Sequence, residues 1–109
     1  MSYCNGFEII EKNEVGVVAM CDQCDHLHIE IKTFTAVVSQ KSFQEISTHL
    51  TNRRSLVNEL VVKTPTSEKI LVPVADNIFL SLNRVEFIQV VDLFEIAIHM
   101  LKVRKIISI

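Results

Sequence analysis

A chain of 109 residues, 49% hydrophobic and 22% charged, has the size and composition of one globular unit, with roughly two-thirds of its unfolded surface available for burial. Only two Gly and two Pro exclude collagen-like and low-complexity chains, and the isolated Gly6 and Gly16 exclude the glycine-rich loops that cradle phosphates. The net charge is −2, and the only basic clusters are Arg53-Arg54 and the group Lys102, Arg104, Lys105, so the basic stripe of a nucleic-acid binder is missing and no nucleic-acid partner is expected.

The first twenty residues interrupt every apolar run with Glu8, Glu11, Lys12 or Glu14, which argues against a signal-peptide core. The apolar C-terminal stretch carries Asp92, Glu95 and His99, too polar for a membrane span. Three cysteines without an export signal point to a reducing compartment, so the expected location is cytoplasmic.

Hydrophobic period marks the elements in chain order. Val15, Val17 and Ala19 read as a strand. Leu27, Ile29 and Ile31 alternate with His26, His28, Glu30 and Lys32, a strand with one dry and one wet face. A turn at Lys32-Thr33 leads to a third strand through Phe34, Ala36 and Val38. A helix follows, with Phe43, Ile46 and Leu50 on one face and Ser39 as its N-cap. Leu60, Val62 and Thr64 then form a strand that turns at Pro65-Thr66-Ser67. Ile70, Val72 and Val74 form the next, and Ile78, Leu80 and Leu82 the last. Pro73 cannot donate to a ladder, so it should sit at a sheet edge or a bulge. A second helix opens at Asn83, with Glu86 placed to complete a capping box, and runs to about Lys102.

The order strand, strand, strand, helix thus occurs twice at a period near 44, with Ser39 falling on Asn83 and Phe43 on Phe87. The expected fold is α+β: a single domain over residues 1–109, built from two βββα pseudo-repeats at about 13–52 and 58–103. Six largely antiparallel strands form the sheet, and the two helices pack on it. The second helix is apolar over well over half its circumference, from Phe87 to Val103. Such a helix is buried on more than one side. Either its own sheet and the first helix cover it, or it packs against a second copy in a two-fold homodimer; the rarity of large exposed apolar patches favours the dimer.

Candidate chemistry centres on Cys21-Asp22-Gln23-Cys24, in the turn between the first two strands. Two thiolates at this spacing are half of a tetrahedral zinc site, and Cys4, His26, His28 or a second chain are candidates to complete it. Against this, Pro65-Thr66-Ser67 closes the equivalent second turn without ligands, which fits an ordinary turn carrying two thiols. A thioredoxin-like role lacks the helix N-terminus that lowers the pKa of the attacking thiol. His49 and His99 read as surface or interface residues. Glu8/Glu11 and Asp92/Glu95 read as solvated faces, so no catalytic residues are expected; an enzyme with its pocket near His99 ranks last.

Cys21, Cys24, Leu27-His28-Ile29, the strand Phe34 to Ser39, and Phe43 together resemble a small uncharacterised bacterial domain family with a C-x-x-C hairpin followed by strand, strand and helix. This chain departs from that pattern at Asp25, where Gly is usual. The resemblance implies no activity and adds support to zinc at Cys21 and Cys24. The sequence therefore points to a non-enzymatic interaction or regulatory module with an unknown protein partner, homodimeric through its C-terminal helix. The alternative is a zinc-binding protein using the cysteine pair.

Overall fold

The computed structural model describes residues 6–63, 65–75 and 77–104. Its elements are β1 (Phe7–Lys12), β2 (Gly16–Cys21), β3 (Leu27–Ile31), β4 (Phe34–Val38), α1 (Gln40–Arg53), a 3-10 turn (Arg54–Leu56), β5 (Val61–Lys63), β6 (Glu68–Ala75), β7 (Ile78–Leu82) and α2 (Arg84–Val103). The α+β class holds, but the expected single sheet of six strands does not. One antiparallel sheet has the order β1-β2-β3-β4 and a second has the order β5-β6-β7. Each set of strands is joined by short hairpins and pairs only within itself, with α1 and the 3-10 turn carrying the chain from one sheet to the other.

The additional strand is β1. A bulge between Ile9 and Glu11 inserts Ile10 into its pairing with β2. Ile9 is left exposed and Ile10 is buried, so the period-2 pattern that announces a strand breaks in the middle. Gly16 opens β2 where a Cβ would collide with the carbonyl oxygen of Glu30 on β3, so this glycine is required by close approach of two backbones. Asn13 closes the β1–β2 turn by accepting from the N–H groups of Val15 and Gly16, at 3.0 and 3.2 Å. Its Nδ2 donates to the Gln89 carbonyl at 2.8 Å, tying the hairpin to α2.

Both caps form as the sequence expects. The Ser39 hydroxyl accepts from the Ser42 N–H at 3.1 Å. At α2 the box is complete: Asn83 Oδ1 accepts from the Glu86 N–H at 2.8 Å, and Glu86 Oε1 accepts from the Asn83 N–H at 2.9 Å. Pro73 lies in β6, the middle strand of its sheet, yet its expected setting is met. β5 pairs only with Glu68 to Ile70, so β6 is unpaired on that side at Pro73, and the β6–β7 register shifts between Pro73 and Ala75.

The core gathers around α2. Phe87, Val90, Val91, Leu93, Phe94, Ala97 and Leu101 are buried, against Phe43, Ser47 and Leu50 on α1. Inward residues of the first sheet (Val18, Leu27, Ile29, Ile31) and of the second (Ile70, Leu82) complete one contiguous cluster. Phe43 and Phe94 stack with centroids 4.9 Å apart, joining the helices. Most of the apolar circumference of α2 is therefore covered within the chain; Val85, Ile96 and Val103 are its exposed large hydrophobics.

Candidate functional site

The register of the four-stranded sheet places Leu27, Ile29 and Ile31 inward and the alternate residues outward. The outward set is unusually apolar. Ile9, Ala19, His28 and Val37 are cross-strand neighbours in one row that crosses all four strands. Phe7 pairs with Cys21 beside that row, and Lys12, Val17, Glu30 and Thr35 form the next row. Phe7, Ile9 and Val37 are 51%, 57% and 55% exposed, so three large apolar side chains project into solvent from one sheet face.

His28 sits in the middle of this face. Its ring meets that of Phe7 edge-on, with centroids 4.6 Å apart. Its Nε2 is buried and has no hydrogen-bond partner among the described residues. A buried polar atom left in this state costs about 1–3 kcal/mol.

The cysteine turn borders the same face. Cys21 ends β2, its N–H donates to the His26 carbonyl at 3.2 Å, and its side chain is 3% exposed. Cys21 is disulfide-bonded, a state in which its sulfur is not a thiolate ligand. Cys24 and His26 are exposed in the turn, while His28 lies on the sheet face. Cys4 lies outside the described residues. Among the described residues no group of three His, Cys, Asp or Glu side chains is placed to hold a metal ion.

Other polar residues have structural roles. Arg54 bridges from the end of α1 to α2, donating to Asp92 at 2.6 Å and to Glu95 at 3.0 Å. The hydrogen bond that Arg54 donates to Asp92 is the main influence raising its pKa. The Asp92/Glu95 pair thus grips a cation between helices while both carboxylates stay more than a third exposed, on the solvated face the sequence suggests. Glu86 is held below the usual carboxylate range, chiefly by the Asn83 N–H and also by Lys32 at 3.1 Å. His49 and His99 are exposed.

Sequence reasoning did not single out Phe7, Ile9 or Val37. The available signal was the run Gly16–Cys21, which contains no polar side chain and so implies a strand apolar on both faces.

The fold and this face define an α+β protein of two antiparallel sheets around a central helix, with an apolar outer surface on the larger sheet. The chain belongs to a family of unknown function, DUF6686, whose model matches residues 3–108. No curated protein and no solved structure matches it. Among the described residues no helix is long and apolar enough to cross a membrane.

Proposed function

We propose that this protein is a non-enzymatic interaction module that pairs with a second copy of itself across the outer face of its four-stranded sheet. The observation that carries this reading is the row Ile9–Ala19–His28–Val37, exposed at Ile9 and Val37 and covered between them at Ala19 and partly at His28, with exposed Phe7 beside it. Exposed apolar patches of this kind mark contact surfaces. The face is also self-complementary. A two-fold axis lying along β2 sets Lys12 of one copy over Glu30 of the other and Ile9 over His28, the reciprocal arrangement a symmetric dimer requires. We further read the two strand–strand–strand–helix runs as copies of one unit, with β1 as the addition that widens the first sheet.

The surface expected from sequence, α2, offers less, since its exposed apolar residues are Val85, Ile96 and Val103. Native mass spectrometry and light scattering at micromolar concentration separate the two surfaces and report any bound metal. The wild type should have twice the chain mass, Ile9→Lys and Val37→Lys should be folded monomers, and Ile96→Lys should remain dimeric. A wild-type monomer overturns the proposal. Loss of the dimer in Ile96→Lys alone moves the interface to α2, and a zinc-loaded monomer moves the function to the cysteine turn.

A further inference from the structure

On the opposite side of the sheet, between the two sheets and the helices, lies a cavity of ≈ 210 Å³. Every described residue that lines it is apolar, among them Ile29 and Ala36 from the first sheet, Val72 and Leu80 from the second, and Leu50 and Phe94 from the helices. It is not sealed: Ile46 and Pro73, both on its wall, are exposed. A smaller hollow shares Leu50, Val72 and Pro73 with it and adds two basic side chains, His49 and Arg53. These lie one turn apart on α1 and so share a face. Arg53 makes no ion pair among the described residues, unlike its neighbour Arg54.

An apolar interior beside a cationic rim is the complement of an amphipathic anion. We infer that this cavity binds a small carboxylic acid with a short alkyl tail, the tail among Ile29, Ala36, Val72, Leu80 and Phe94, and the carboxylate at Arg53 with His49 beside it. The volume sets the scale of the tail. It exceeds the ~150 Å³ of an apolar cavity that takes up benzene, and falls below the ~300 Å³ at which pockets for drug-sized ligands begin. A space lined by apolar side chains holds water weakly, so an alkyl chain enters with little loss of solvent hydrogen bonding. The guanidinium favours a carboxylate through paired N–H donors and disfavours an ammonium head on the same chain.

Isothermal titration calorimetry with octanoate, octylamine and octanol tests this on the full chain. Octanoate should bind one per chain and at least about tenfold tighter than octylamine, with affinity falling as salt is raised. Arg53→Gln, an exposed substitution that leaves the core intact, should weaken octanoate about tenfold and leave octanol unchanged. Ala36→Phe should fill the cavity and remove binding of all three, with thermal unfolding confirming that the variant is folded. Ala36→Leu is the milder filling variant and should weaken octanoate in the same direction. Absence of octanoate binding to the wild type, equal affinity for octylamine, or an unchanged affinity in Arg53→Gln would each overturn the assignment.

Discussion

The helices α1 and α2 each follow an antiparallel sheet, yet they stand in opposite relations to the core. α1 buries Phe43, Ser47 and Leu50 and leaves Ile46, on its apolar stripe, 37% exposed. α2 buries seven side chains and is flanked by α1 and by both sheets. The difference teaches what an apolar circumference encodes: how many sides of a helix are covered, without saying whether the cover comes from the same chain. The division of the strands into two sheets supplies here the cover that a second subunit would otherwise provide.

The largest test of this contrast is in the core. Leu93→Ala, at a fully buried position of α2, should cost about 2–5 kcal/mol in urea unfolding, while Ile46→Ala on α1 should cost less than about 1 kcal/mol. Equal losses would mean that the two helices contribute alike and that the contrast is wrong. Phe43→Ala and Phe94→Ala should each cost about 3–5 kcal/mol, and the double variant should show a coupling of about 0.5–1.5 kcal/mol from the stacked pair.

The caps sharpen the comparison at a smaller scale. Asn83→Ala removes one half of a reciprocal box and should cost about 1 kcal/mol or somewhat more. Ser39→Ala removes a single hydroxyl acceptor, and α1 has no acidic residue in its first turn, so its loss should be smaller. The interhelical clamp comes next. Arg54→Ala should cost at most about 1 kcal/mol, because its side chain and both carboxylates are more than a third exposed, and the loss should shrink as salt rises.

What was legible in the sequence follows the range over which each feature is determined. The caps at Ser39 and Asn83 and the turn at Lys32-Thr33 are set by a few adjacent residues. At that turn Lys32 adopts φ 57° to close a two-residue hairpin between Ile31 and Phe34. β1 was hidden because the Ile10 bulge destroys the alternation by which strands are recognised. The partition into two sheets was hidden because nothing local says whether strands far apart in the chain pair with one another, and here they do not. The outer face was half visible, in the polar-free run Gly16–Cys21, but the neighbours that extend it, Ile9 and Val37, come from strands whose register only the fold supplies. At the cysteine turn, spacing identified a pair of sulfurs but could not place further ligands around them.

The finest distinction between the helices is a pH dependence that α2 should carry and α1 should lack. Glu86 accepts from the Asn83 N–H and pairs with Lys32, and both contacts favour its charged form. Its pKa in the folded protein is therefore depressed below the unfolded value. For a depressed carboxylate the added stability is fully present above the unfolded pKa and is lost as pH falls through the folded one. The stability of the wild type should thus fall through this acid window partly because of Glu86, whereas Glu86→Gln should keep the amide-compatible half of the box and lose that part of the slope. The difference at neutral pH should be below about 1 kcal/mol, the scale of a charge at a helix N-terminus. Urea midpoints of the two proteins, measured from pH 7 downward, should converge as Glu86 protonates; parallel curves would show that the capping carboxylate is not the titrating group that distinguishes α2.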